Sequence, residues 1–189
     1  MSIIKFAYTY LRERQSPLVL SLHLIILCLV IFQTIVSNLM RVGDNGEVSR
    51  NIIEYFGTYV HIGTGLFLFM IAFPFFYLEL TRHGSAYFFP YAFGNFTQLK
   101  KDFDKLKRFE LPEADAYGIA AVVQGLGMIA LALVILSGIA WFLSWIYQAQ
   151  WANSLKEFHK LLTGLIQAYL VGHGGMGILH IYTVQRRHD

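Results

Sequence analysis

The chain has 189 residues, 56% of them hydrophobic and only 14% charged, with a formal net charge of +3. A soluble domain carries about 25% charged residues, so the composition excludes an ordinary water-soluble globule, and so small a net charge gives nucleic acid no footing as a partner. Charge is missing from whole windows: no Asp, Glu, Lys or Arg occurs over 15–40, 55–78, 116–155 or 161–185.

Each window exceeds the ~20 residues that a membrane helix needs. The third holds one helix and an interfacial segment, but not two helices and a turn. The expectation is an all-α integral membrane four-helix bundle forming a single domain over 1–189.

The first helix is expected over Pro17–Val36. Its apolar run is too long, and lacks a small-x-small end, for a cleaved signal peptide. It carries Cys28, the only cysteine. One apolar thiol offers no internal disulfide, no CxxC pair and no CxxCH haem attachment, and reads as a packing residue. The run Gly43-Asp44-Asn45-Gly46 predicts a turn before the second helix, Tyr55–Leu78. The connection 79–115 contains a candidate interfacial helix over 95–109. There Phe96, Leu99, Phe103 and Leu106 recur at helical spacing among Lys100, Lys101, Asp102, Lys105 and Lys107. A loop packed beneath the bundle with one amphipathic turn is the alternative. The third helix is expected over Tyr117–Tyr147. The fourth, Ser154–Gln185, opens with Ser154 as N-cap and Glu157 completing a capping box.

With the N-terminus inside, eleven Lys and Arg fall on the inner side and four on the outer. The positive-inside rule then places both termini in the cytoplasm. Trp145, Tyr147 and Trp151 are expected as an outer aromatic belt.

Four histidines lie in these charge-poor stretches: His23, His61, His159 and His173. His159 and His173 are fourteen residues apart, about four helical turns, which sets them on one face and about 21 Å apart in a hydrocarbon layer of ~30 Å. Helix direction puts His23 and His173 near the inner side, and His61 and His159 near the outer. Intramembrane histidines need partners, and two neutral imidazoles on facing helices can hold a haem iron axially. Zinc fits less well, because it wants three or four converging ligands. Gly57 and Gly65 lie four residues either side of His61, where small residues let a flat porphyrin approach; Gly177 lies four beyond His173. Close helix packing explains such glycines equally. His180, seven beyond His173, suits a quinone carbonyl, a haem propionate, or plain solvent. Arg12, Arg14 and Arg186 suit propionates or ordinary membrane anchoring. His83 and His188 read as surface histidines.

These residues together resemble the prokaryotic cytochrome b561 family, within the group that includes the cytochrome b subunits of hydrogenases and formate dehydrogenases. The carrying motifs are Leu155-Lys156-x-x-His159 followed by His173 and His180, Ser21-x-His23, and His61-x-Gly63. The resemblance covers the membrane core, and the 79–115 connection is longer than in compact members. It implies two b-type haems, an inner one on His23 and His173 and an outer one on His61 and His159. It implies a bacterial inner-membrane protein passing electrons between ubiquinone or menaquinone and a periplasmic c-type cytochrome or redox enzyme subunit. Some relatives resemble superoxide:ubiquinone oxidoreductases, and Arg50, Lys156 and Lys160 would then draw an anion toward the outer haem. A haem-free membrane transporter or assembly protein is the remaining alternative; the lack of deep charge counts against an ion pathway.

Overall fold

The computed structural model describes residues 3–43 and 45–188. It contains seven helices in chain order: α1 (Ile3–Arg14), α2 (Pro17–Ser37), α3 (Ile52–His83), α4 (Ser85–Phe88), α5 (Thr97–Lys107), α6 (Ile119–Ile146) and α7 (Ala152–His188). A single 3-10 turn, Pro90–Phe93, follows α4. No strand is present among the described residues; one isolated bridge pairs Val42 with Val48.

Local chemistry sets the helix ends. Ser16 Oγ accepts the Val19 amide at 3.4 Å, and Pro17 fills the first position of α2, where its missing N–H costs nothing. Asn51 Oδ1 accepts the amides of Ile53 and Glu54. This cap starts α3 at Ile52 rather than at Tyr55, and α3 runs on to His83 because helix continues past the apolar window into polar sequence. The end of α6 is a left-handed residue, Gln148 at φ 52°, with the Ala149 amide on the Ser144 carbonyl at 2.8 Å, the hydrogen-bond pattern of a Schellman stop. That tight turn carries the chain into α7 at Ala152, so Ser154 lies inside the helix and is not its N-cap. The predicted turn at 43–46 closes through the Gly46 amide on the Gly43 carbonyl at 3.0 Å; its Asp44 lies outside the described residues.

Three helices, α2, α3 and α6, are long and apolar enough to cross a membrane. With 37 residues α7 is longer than any of them, but its glycines, histidines and polar ends dilute its hydropathy below theirs. On α3, Met70 and Phe73 are each 66% exposed, as side chains facing lipid would be.

The chain divides into two compact units. One comprises Ser21–Phe75 and Ala130–Gln167. Its core is Leu22, Ile26, Val30, Leu68, Ala72, Leu131, Ile135, Trp141 and Ile166. In the loop before α3, the Gly46 carbonyl accepts Trp145 Nε1 at 2.7 Å and the Val42 carbonyl accepts Lys156 Nζ at 3.3 Å. Trp145 therefore pins a loop instead of serving only in an aromatic belt, whereas Tyr147 and Trp151 are exposed.

The other unit comprises Met1–Leu20, Phe76–Ile129 and Ala168–Asp189. Its polar anchor is Asp102, which is fully buried. One carboxylate oxygen accepts the Ile119 amide at 2.8 Å, capping α6, and the other accepts Gln98 Nε2 at 2.9 Å. The candidate interfacial helix thus exists over Thr97–Lys107, held by a carboxylate and not by its apolar face. Nearby, the buried Glu79 accepts Gln124 Nε2 at 2.7 Å.

Candidate cofactor site

An apolar hollow of about 80 Å³ lies within the first unit described, between α2, α3, α6 and α7. Its walls are mainly Val, Leu, Ile, Trp and Phe side chains, with Gln33, His61 and His159 among the few polar ones. The structure brings His61 and His159 together across it: their ring centres are 6.3 Å apart and their planes 76° from parallel. Metal–imidazole bonds of about 2.0 Å on both sides of one ion would set ring centres roughly 6 Å apart. The two rings have the spacing of an axial pair.

Hydrogen bonding supports the same reading. Ser137 Oγ donates to the Val134 carbonyl at 2.9 Å and lies 3.0 Å from His159 Nδ1. With that proton on the Val134 carbonyl, the oxygen can accept from Nδ1–H, the tautomer that leaves the Nε2 lone pair for a metal. His61 Nδ1 is buried and has no hydrogen-bond partner among the described residues. An unpaired polar atom in an apolar wall costs about 1–3 kcal/mol, a cost that a metal bound at Nδ1 itself would offset. Among the described residues no group of three or more His, Cys, Asp or Glu converges as a metal site, so the donor set here is two imidazoles. That set suits haem, whose porphyrin supplies the other four ligands.

The glycines around His61 have different surroundings. A Cβ at Gly65 would meet Gln33 Nε2 at 3.2 Å; Gly65 lines the hollow and admits the Gln33 amide, which donates to the His61 carbonyl at 3.0 Å and to Thr64 Oγ1 at 2.9 Å. A Cβ at Gly57 would meet Leu39 Cβ at 2.7 Å, so Gly57 serves close packing and lines a separate shallow hollow with Val36 and Leu39. The sequence reading missed Ser137 and Gly138. A Cβ at Gly138 would approach His159 Cε1 at 3.0 Å, so glycine there gives the imidazole its room. Their signal was a Ser-Gly pair between the apolar runs 128–136 and 139–143 of α6.

The remaining candidates have other surroundings. His23 lies 5.9 Å from the Phe75 ring. His173 stacks on Tyr169 at 5.0 Å and 10°, and the Tyr169 ring fills a notch that any side chain at Gly127 would obstruct. A Cβ at Gly172, Gly174, Gly175 or Gly177 would meet nothing within 4 Å, so no contact in the structure requires glycine there. His180 Nε2 is 2.9 Å from the Tyr10 hydroxyl. Arg186 sits over the Tyr182 ring at 4.9 Å, Arg12 is exposed, and the side chains of Arg14 and His188 lie outside the described residues. His83 is exposed and packs on Tyr87 at 4.5 Å. Of the cations suited to drawing an anion, Lys160 pairs with Glu157 at 2.8 Å and Lys156 is held on the loop.

Fold and site define a helical membrane protein with paired imidazoles in an apolar hollow. The family model for prokaryotic cytochrome b561 matches residues 14–187, and the chain belongs to that family. The family transfers electrons across membranes through haem b. Searches of curated proteins and of solved structures returned no match.

Proposed function

We propose that this protein is a transmembrane electron carrier with two bis-histidine b-type haems. The observation that carries the reading is the His61–His159 pair, facing at 6.3 Å in an apolar hollow with its ring nitrogens prepared for a metal. Haem b supplies a one-electron couple when bound. The residues supply the rest: His61 and His159 would hold the iron, Ser137 would orient His159, Gly138 leaves room for its ring, and the aliphatic wall excludes water. Two imidazoles on one haem iron would leave it no open position, which would favour electron transfer over oxygen binding.

The second haem is assigned to His23 and His173 by the family pattern and the fourteen-residue spacing on α7. The open flank of the glycine run 172–177 supports a flat ligand beside His173. In this reading α7 is the fourth membrane span, and both termini lie in the cytoplasm of a bacterial inner membrane. One end of the route is a membrane quinone. The Tyr10–His180 pair offers it a hydroxyl and an imidazole, a donor and an acceptor for a quinone oxygen. The other end is a periplasmic redox protein.

Purified protein should show a reducible b-type spectrum and two non-covalent haems per chain, reduced by a quinol in proteoliposomes. A colourless, folded protein would overturn the proposal.

A further inference from the structure

The 79–115 connection does something its length alone does not explain. Asp102 fastens α5 to the first amide of α6, at the point where the charge-free span begins. Held at that level, α5 leaves its apolar side uncovered. Phe96, Phe103 and Leu106, spaced along one helical face, are all exposed, Phe103 by 57%. The helix ends with the Glu110 amide on the Lys105 carbonyl at 3.0 Å and Phe109 in the left-handed region at φ 59°. An aromatic residue is rarely held there, and Phe109 is 100% exposed, so no contact in the structure rewards its conformation.

Charge surrounds this apolar surface. Lys107 Nζ stands over the Phe103 ring at 5.2 Å and makes an exposed ion pair with Asp104 at 3.5 Å, and Lys100 lies beside the stripe one turn from Phe96. Lys100 and Lys101 have no acidic partner among the described residues. Aromatic side chains below a row of ammonium groups match the boundary between acyl chains and anionic headgroups.

We propose that α5 is a lipid-binding element: Phe96, Phe103, Leu106 and Phe109 enter the bilayer surface at the N-terminal end of α6, and Lys100 and Lys107 bind the phosphates of anionic phospholipid. The surface is separate from the haem ligands, so it stands or falls apart from them.

The test uses the full chain in nanodiscs, with Cys28→Ala to remove the exposed native thiol. A polarity-sensitive fluorophore is placed through Phe103→Cys on the apolar face, or through Lys101→Cys away from it. Nanodiscs contain phosphatidylcholine alone or mixed with phosphatidylglycerol, with headgroup-nitroxide lipid as quencher. The label at 103 should be blue-shifted and strongly quenched, more so with phosphatidylglycerol, and the label at 101 should not. Each ammonium near an anionic surface is worth about fivefold in binding, so adding Lys100→Gln and Lys107→Gln should abolish the phosphatidylglycerol effect while the haem spectrum stays unchanged. Equal quenching at 103 and 101 would overturn the proposal. So would quenching at 103 that is indifferent to phosphatidylglycerol, which would remove the anionic specificity. A blue-shifted but unquenched label at 103 would show that a second copy of the chain covers the face, and would overturn it too.

Discussion

Ser137→Ala is the most discriminating perturbation of the site because it touches neither ligand's identity nor the cavity's shape. Ser137 is buried, 6% exposed, and its oxygen lies 3.0 Å from His159 Nδ1, from which it accepts in the tautomer that frees Nε2 for a metal. Removing it strands an N–H in an apolar wall, at a cost of about 1–3 kcal/mol. Losses of roughly 10–100-fold in metal affinity are usual when such an orienting partner is removed. The imidazole also becomes a poorer electron donor, so the ferric state loses more than the ferrous one. Each 1 kcal/mol of that difference raises a one-electron potential by roughly 40 mV. The assays are haem titration of the apoprotein and potentiometry of the reduced band. Ser144→Ala is the control, since Ser144 is equally buried on α6 and its hydroxyl donates to the Trp141 carbonyl rather than facing a histidine. One haem should bind more weakly and rise in potential in Ser137→Ala, with the other unchanged. Identical titrations and potentials in Ser137→Ala and the wild type would refute the assigned tautomer and the ligand role of His159.

Other substitutions follow from the same geometry. Gly138→Leu should drive a side chain into the His159 ring and lower haem occupancy at one site, measured by pyridine haemochrome; full occupancy would contradict the close approach. Trp145→Phe keeps the ring contact but loses the bond to Gly46, so amide exchange across 41–50 should quicken by a factor matching about 1 kcal/mol. Asp102→Ala uncaps α6 and removes one of the two carboxylates that Gln98 Nε2 bonds, the other being Asp115 at 3.1 Å, lowering thermal stability by about 1–3 kcal/mol in a melting experiment. Burial, then Glu79, Asp115 and Tyr117, push the Tyr87 hydroxyl above its ordinary 10.0. Its neutral form is favoured in the folded state, so its contribution is complete below pH 10 and is lost as pH rises through the raised value. Tyr87→Phe should therefore flatten the alkaline loss of stability seen in pH-dependent melts.

Much of the architecture was legible because membrane helices announce themselves by missing charge. The windows located α2, α3, α6 and α7, with ends displaced by a few residues. Those displacements have local causes: Asn51 caps α3 early, and Gln148 in the left-handed region turns the chain so sharply that α7 starts before Ser154. The His61–His159 pairing followed from helix direction and depth, which periodicity and loop charge reveal. Ser137 and Gly138 did not, because α6 carries no histidine and its contribution appears only when it packs against His159. Gly57 and Gly65 looked equivalent in sequence, four residues from His61, yet one faces Leu39 and the other Gln33. The anchoring of α5 was equally hidden: its apolar spacing drew attention to the face that packs on nothing, while a lone aspartate does the holding.

The central claim is that His61 and His159 share one haem iron. A haem count with reduced-minus-oxidised spectra of the wild type, His61→Ala and His159→Ala tests it most directly. Each variant should lose the same single b-type haem, with identical residual spectra and the second haem intact. Unchanged haem content in either variant, or loss of different haems in the two, would contradict it.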